Sequence, residues 1–297
     1  MIEIEFLGTS AMVPTKERNH SAVFLSYNGE GLLFDCGEGT QRQLKIAGIS
    51  ACKIKKIMIS HWHGDHVLGL AGLIQTMSAS DYEGELEIYG PKGTKERLEL
   101  MFKAFVFEAC IKIKAKEVES GCFFDCENYK LEAERLDHGI PCLGFSFIEK
   151  DRRKIKVSDI KKIGIPEGPL LGKLQEGKSI VFKGKKISAD DVTYVVQGKK
   201  ISYIADTVPC NNAIKLAKDA DIMICESTYI SDLEEKGAEY KHMTAKQAAF
   251  MAHQANVKKL ILTHISQRYK TAEAITEEAK TYFNDVTVAY DFMKVKL

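Results

Sequence analysis

Along this chain, short stretches in which apolar and polar side chains alternate, or in which apolar residues run together, recur between turn-forming residues. Alternation with a period of two is the mark of a half-buried strand, and it predicts strands at 2–7, 21–27, 31–35, 54–60, 85–89, 129–136, 143–148, 192–196, 200–204, 221–225 and 258–263. The longer helical period predicts helices at 38–47, 67–79, 93–106, 210–218, 244–255 and 272–283. Elements in this number and order predict an α/β chain of two sheets packed face to face with helices outside, a layered αββα arrangement spanning 1–297 as a single domain. The stretch 150–186 departs from that pattern, being rich in Lys, Gly and Pro with Gly164-Ile165-Pro166-Glu167-Gly168-Pro169 in its middle. It reads as a protruding, flexible arm inserted in the domain. A disordered linker is the alternative; against it, Ile160, Ile163, Ile165, Leu170, Leu171 and Leu174 suffice to order a small subdomain or dock it on a partner.

Composition narrows the class only slightly: 45% hydrophobic and 28% charged residues over 297 positions is ordinary for a globular chain. The longest apolar runs, such as Val67 to Ile74, fall far short of the roughly 20 residues that cross a bilayer, so no membrane span is expected. The opening Met1-Ile2-Glu3-Ile4-Glu5 alternates acidic and apolar side chains, whereas a signal peptide needs a basic and then a continuous apolar stretch; a cytoplasmic location is expected. Eight cysteines (36, 52, 110, 122, 126, 142, 210, 225) are scattered without Cys-x-x-Cys pairs, and are expected to be buried reduced thiols rather than structural zinc ligands. Net charge is +1, from 42 Lys and Arg against 41 Asp and Glu, which taken alone argues against a nucleic-acid partner. Its distribution reverses that reading. Segment 150–186 holds 12 basic and 4 acidic residues, leaving 30 basic against 37 acidic elsewhere: a basic appendage on an acidic body.

The chemistry is concentrated in His61-Trp62-His63-Gly64-Asp65-His66, placed after the apolar strand Ile57-Met58-Ile59 and before the apolar helix starting at Val67. In extended backbone His61 and His63 point the same way and can bind one metal ion, while Asp65 and His66, from the turn into the helix, can face a second. Unpaired imidazoles are costly to bury, so four potential ligands within six positions are poorly explained as core. Two ions need further ligands. His138, Asp206 and His264 each follow a predicted strand, where loops of one sandwich face can converge. One carboxylate can bridge two cations, and Asp206 is the candidate for that bridge. Imidazole and carboxylate ligands without thiolate suit Zn²⁺, with Mn²⁺ or Fe²⁺ as possible substitutes. Paired cations that acidify a shared water imply hydrolysis. The leaving group then needs a proton donor that is not a ligand. His242, oriented by Glu226, is a candidate, the alternative being that His242 merely precedes the helix near Thr244. His20 and His253 look non-catalytic.

These residues resemble the metallo-beta-lactamase superfamily, whose His-x-His-x-Asp-His loop is matched by His61 to His66. Within it the chain is similar, essentially end to end, to the ribonuclease Z family of tRNA 3'-processing endonucleases in its short form. Phe6-Leu7-Gly8-Thr9-Ser10 matches that family's opening, Pro14-Thr15-Lys16-Glu17-Arg18-Asn19 its Pro-x-Lys-x-Arg-Asn loop, and Asp35-Cys36-Gly37-Glu38-Gly39-Thr40-Gln41 a further block. The resemblance implies two Zn²⁺ per subunit, one held by His61, His63, His138 and Asp206, the other by Asp65, His66, Asp206 and His264. It further implies Asp65 as proton acceptor, and His242 with Glu226 as the pair protonating the leaving oxygen. The Pro14 to Asn19 loop would lie near the acceptor stem, making Lys16, Arg18 and Asn19 candidate substrate-binding residues. The basic segment would be an exosite arm gripping the tRNA elbow, within a homodimer whose arm presents precursor tRNA to the partner's site. The implied reaction removes the 3' trailer, leaving a tRNA 3'-hydroxyl and a 5'-phosphate on the trailer. The physics of the arm agrees, since Lys and Arg hold phosphates by charge and shape without reading bases. A glyoxalase II-like thioester hydrolase would use a similar ligand set, but leaves the basic arm and the Pro14 to Asn19 loop without work. A metal-bearing RNA-binding module without catalysis would have no need of the complete ligand set.

Overall fold

A computed structural model of the chain describes residues 1–80, 82–106 and 111–297. Its strands, in chain order, are β1 (Ile2–Gly8), β2 (Ala22–Tyr27), β3 (Glu30–Phe34), β4 (Ile54–Met58), β5 (Glu85–Gly90), β6 (Lys112–Glu117), β7 (Gly121–Asp125), β8 (Tyr129–Asp137) and β9 (Pro141–Glu149). They continue with β10 (Arg152–Ile155), β11 (Ile180–Phe182), β12 (Lys185–Ile187), β13 (Thr193–Val196), β14 (Lys200–Ile204), β15 (Ile222–Glu226), β16 (Lys259–Thr263), β17 (Val286–Val288) and β18 (Lys294–Lys296). The chain divides into two compact units: Met1–Asp125 with Leu131–Phe147 and Lys200–Leu297, and Cys126–Lys130 with Ile148–Lys199.

The larger unit carries two seven-stranded sheets, in the orders β18-β1-β2-β3-β4-β5-β6 and β17-β16-β15-β14-β9-β8-β7. Their inner faces meet through aromatic rings: Phe34 of β3 lies 6.4 Å from Phe145 of β9 and 5.4 Å from Tyr203 of β14, and Tyr27 of β2 lies 5.2 Å from Phe147. Strands β14, β15 and β16 run parallel and are buried nearly throughout, as strands covered on both faces must be. The helix Ala245–Gln254 packs on β15 and β16. It opens with a capping box in which Thr244 Oγ1 accepts from Gln247 N–H (3.2 Å) and Gln247 Oε1 accepts from Thr244 N–H (3.0 Å). Parallel pairing aligns strand ends, so Ile204 stands beside Cys225, and Glu226 beside Thr263. The loops after β14, β15 and β16 therefore leave from one edge. That edge carries the site.

The layered sandwich expected from the patterning is present, but its four outermost strands, β18, β6, β17 and β7, are all ones that the patterning did not mark. The helix expected at 67–79 is in fact two, Gly64–Val67 and Leu70–Ser78, with Asp65 and His66 in the first. Cys110 lies outside the described residues. The remaining cysteines are free thiols, yet only Cys36, Cys142 and Cys225 are buried, so the expectation of uniformly buried thiols is corrected: Cys122 is exposed. Among the described residues no helix is long and apolar enough to cross a membrane.

The smaller unit includes all of 150–186 but continues to Lys199. In it β10 pairs antiparallel with β13, and β11 with β12. The helices Val157–Ile163 and Pro169–Gln175 bury Ile160 and Leu174 against Ile165, Ile180, Ile187, Ala189 and Val192. Gly164 ends the first helix at φ +76°, and Gly168 reaches φ +141° just before Pro169 at the start of the second; both conformations strain any residue with a Cβ. Its lysines stay outside this core: Lys161, Lys162, Lys183, Lys185 and Lys186 are all exposed.

Candidate metal centre

His61 and His63 follow β4, His138 follows β8, Asp206 follows β14, Glu226 ends β15 and His264 follows β16, so one site draws on loops from both sheets. All seven residues singled out as metal ligands are brought together. The donor atoms of His61, His63, His138 and Asp206 lie within 4.8 Å of one another, as do those of Asp65, His66, Asp206 and His264. Asp206 belongs to both groups. His61 Nε2 and His138 Nε2 each stand 3.1 Å from His63 Nδ1, and 3.7 and 3.8 Å from Asp206 Oδ2. In the second group His66 Nε2 lies 3.3 Å from His264 Nε2, 3.5 Å from Asp65 Oδ2 and 3.4 Å from Asp206 Oδ2, while Asp206 Oδ1 lies 3.4 Å from His264 Nε2.

Those separations match the edge of a tetrahedron of ligands around an ion with bonds of about 2.0–2.1 Å, which is roughly 3.3 Å. The outer ring nitrogens settle which atom each imidazole offers. His138 Nδ1 lies 2.8 Å from Lys241 O, and a carbonyl only accepts, so Nδ1 carries the proton and Nε2 faces the centre. His66 Nδ1 is likewise spent on Asp35 Oδ2, at 2.8 Å. Ser60 Oγ donates to Asp35 Oδ2 (2.8 Å) and so accepts from His61 Nδ1–H (3.0 Å). Thr228 Oγ1 donates to Glu226 Oε2 (2.7 Å) and so accepts from His264 Nδ1–H (2.9 Å). Every one of these four rings is oriented by a partner behind it, the usual support of a metal ligand.

Electrostatics gives the same sign. Burial favours neutral acids, yet the imidazoles around Asp65 and Asp206 hold both far below the usual carboxylate range. Among the described residues, neither Asp65 Oδ1 nor Asp206 Oδ1 has a hydrogen-bond partner although both are buried. Burial also opposes a charge on His66, but Asp206 and Asp35 outweigh it and push the ring above the usual imidazole range; a divalent cation at this point would compete with that proton. Buried anions with orphaned oxygens, gathered with imidazole nitrogens, fit a divalent metal ion.

Glu226, His242 and His264 form a third close group, but of a different kind. Glu226 Oε1 accepts from Thr207 N–H (2.8 Å), and Oε2 from the Thr228 hydroxyl (2.7 Å), so its oxygens are already occupied. His242 Nδ1 lies 3.1 Å from Glu226 Oε1. Burial works against charge on His242, but Glu226 and Asp206 outweigh it and push the ring up to about 9.

Asp35 and Thr228 are the supporting residues that ligand spacing could not reveal. Asp35 takes φ +57° directly after β3, and besides His66 it accepts from Ser60 N–H (2.7 Å) and the Tyr203 hydroxyl (2.8 Å). A Cβ on Gly37 would stand 2.4 Å from Asp65 O, so the Asp35-Cys36-Gly37 loop approaches the metal loop only because glycine is there. His264 is also left-handed, at φ +58°, strain of the sort stored at functional sites. An Asp35→Asn variant would set an amide where four donors converge, and a loss of metal affinity of about 10–100-fold is expected from chelator competition. Unchanged affinity would leave Asp35 a purely structural group.

The residues of the Pro14 to Asn19 loop divide. Arg18 points inward, donating to Thr9 Oγ1 (2.7 Å) and Ala289 O (2.6 Å). Asn19 is tied by its N–H to Asp291 Oδ2 (2.7 Å) and by its side chain to Glu38 O (2.7 Å). Lys16 is exposed. None of the three lines the cavity over the metal ligands, whereas Ala11, Met12 and Val13 just before them do. His20 holds Met12 O through Nε2 (3.0 Å), and His253 is exposed.

Fold and site together define a metal-dependent hydrolase of the metallo-beta-lactamase type. Residues 175–265 match the beta-lactamase superfamily domain, and residues 2–136 match the family described as anti-Pycsar protein Apyc1. Ribonuclease Z of Archaeoglobus fulgidus is 41% identical, covering 100% of this chain and 98% of the relative; ribonuclease Z of Methanothermobacter thermautotrophicus is 42% identical, covering 100% and 97%. The solved structure of human tRNase Z, short form, superposes with a TM-score of 0.73 at 30% identity, over 99% of this chain and 98% of that one. This chain belongs to the ribonuclease Z family and is an endoribonuclease.

Proposed function

We propose that the chain cuts precursor tRNA at the 3' end of the mature sequence, releasing the trailer with a 5'-phosphate and leaving a tRNA 3'-hydroxyl. The observation that carries this reading is the convergence of two donor groups on Asp206, in a chain of this family. In it, His61, His63, His138 and Asp206 would hold one Zn²⁺ and Asp65, His66, Asp206 and His264 the other. What such a pair supplies to phosphodiester hydrolysis is Lewis acidity, neutralising charge on the attacking and leaving oxygens. The protein's own groups do the rest. Asp65 is assigned the part of proton acceptor on the family likeness alone. Glu226 grips His242 at Nδ1, leaving Nε2–H to protonate the leaving ribose oxygen. Arg268 lines the same cavity as a cation for phosphate.

The test offers purified protein a 3'-extended precursor tRNA and a glutathione thioester. Chelator-sensitive cleavage of the RNA alone is expected; consumption of the thioester alone would replace this reading with a thioester hydrolase. Metal analysis should give two zinc ions per subunit, and light scattering a homodimer, the assembly that the family likeness implies; a cytoplasmic site of action is part of the same proposal.

The smaller unit is proposed to grip tRNA away from the cut. Its support is a cluster of exposed lysines on a folded core. Replacing Lys161, Lys162, Lys185 and Lys186 by Ala should lower kcat/KM for precursor tRNA by roughly tenfold or more and flatten its dependence on salt, because fewer counterions are released. Hydrolysis of a small phosphodiester should stay within about twofold. Equal losses on both substrates would make the unit structural.

A further inference from the structure

The cavity of about 380 Å³ above the metal ligands has a chemically divided lining. Its floor is polar, formed by His63, Asp65, His138, Asp206, His242 and His264. Part of its rim is the reverse: Met12, Val13 and Tyr240 line it while remaining 60%, 43% and 56% exposed. Three large apolar or aromatic side chains thus face water beside a site for a phosphodiester.

Their backbone is fixed. Ala11 N–H donates to Ile265 O (3.1 Å), Ser10 Oγ–H to Val13 O (2.8 Å), and the buried His20 holds Met12 O through Nε2 at 3.0 Å. Neither histidine chemistry nor metal binding explains His20; pinning this rim does. Tyr240 is anchored from the other direction in sequence. Its N–H donates to Lys236 O (3.1 Å), and the next residue, Lys241, supplies the carbonyl that orients His138. Its ring stands 5.8 Å from Lys236 Nζ, a cation over an aromatic face.

On the reading of the site as an RNA phosphodiesterase, we infer that Met12, Val13 and Tyr240 form a stacking subsite for the nucleobase flanking the scissile phosphate. A base is joined to its phosphate through a single ribose, so a phosphodiester on the polar floor brings that base to the apolar rim. Stacking on aromatic and apolar side chains is a main source of single-stranded RNA binding, and it tolerates sequence because every base presents a flat face. Side chains without donors or acceptors at their tips cannot read a Watson–Crick edge. Tyr240 has only its hydroxyl. Met12, Val13 and Tyr240 therefore select for the presence of a base more than for which base it is.

The experiment uses the full-length metal-loaded protein and three precursor tRNAs: one intact, one abasic at the nucleotide on the 5' side of the cut, one abasic on the 3' side. Wild type should lose about 5–100-fold in kcat/KM on one of the two abasic RNAs, the range expected for one base–aromatic stack, and differ little among the four bases at that position. Tyr240→Ala should lose a similar factor on intact RNA and show no further penalty on the abasic one, while Tyr240→Trp keeps the wild-type pattern. Met12→Ser reads the remainder of the rim and should shrink the abasic penalty in part, with metal content unchanged in all variants. A full abasic penalty persisting in both Tyr240→Ala and Met12→Ser overturns the subsite while leaving the nuclease intact. Wild type that fails to cut intact precursor tRNA overturns instead the reading on which it rests.

Discussion

Asp206→Asn is expected to lower turnover on precursor tRNA by on the order of 10³-fold or more, because several kcal/mol of charge stabilisation depend on it and each 1.4 kcal/mol is about tenfold. Both carboxylate oxygens face imidazole nitrogens. Oδ2 lies 3.4 Å from His66 Nε2, 3.7 Å from His61 Nε2 and 3.8 Å from His138 Nε2, while Oδ1 faces His264 Nε2 at 3.4 Å. An amide keeps the shape but brings two donors in place of one acceptor and removes the charge that two donor groups share. Metal content should fall together with activity, and circular dichroism should remain that of the wild type. His63→Ala is the contrast: it touches one donor group only, so metal loss should stop near half. Full stoichiometry and full turnover in Asp206→Asn would remove the shared carboxylate from the mechanism.

How much of this was legible in the sequence depends on how each residue is used. The inner strands could be read because a buried strand must carry apolar side chains, and Ile222-Met223-Ile224-Cys225 can hardly be anything else. The four strands missed in the two large sheets are their edges, and the short strands β10, β11 and β12 of the smaller unit were missed as well. Lys112-Ile113-Lys114-Ala115-Lys116-Glu117 pairs with β5 along its whole length, yet its exposed charges, which suit an edge by discouraging further pairing, erase the apolar signal. The candidate metal ligands could be singled out because imidazoles in a strand–loop–helix setting have few other uses. Asp35 and Thr228 were not, since their work is to hold the outer face of a ring, and nothing in local spacing marks an acceptor brought in from another strand end. Arg18 shows the converse limit. A cation in a loop near RNA invites a phosphate-binding role, but only the fold reveals that its Nη1 donates to Thr9 and Ala289.

His242→Ala is expected to separate two substrates that the metal ligands treat alike. The ribose oxygen leaving from RNA is a poor leaving group and needs a proton as the bond breaks; a positioned acid supplies roughly 10²–10⁴-fold. His242 has the geometry for that work. Its Nδ1 stands 3.1 Å from Glu226 Oε1, its ring stacks on His264 at 5.3 Å, and its side chain reaches the cavity from outside both donor groups on Asp206. Glu226 is held by Thr207 N–H and the Thr228 hydroxyl, so in the proposed role it would fix the His242 ring at Nδ1 and leave Nε2–H for the substrate. On precursor tRNA the variant should lose about 10²–10⁴-fold in kcat with metal content intact. On a p-nitrophenyl phosphodiester, whose phenolate leaves without a proton, the loss should shrink to a few-fold. Glu226→Gln should follow the same division with smaller losses, because it weakens the charge on His242 without removing the ring. Equal losses on both substrates would mean that His242 positions the phosphate or supports His264, and the proton would have to come from elsewhere.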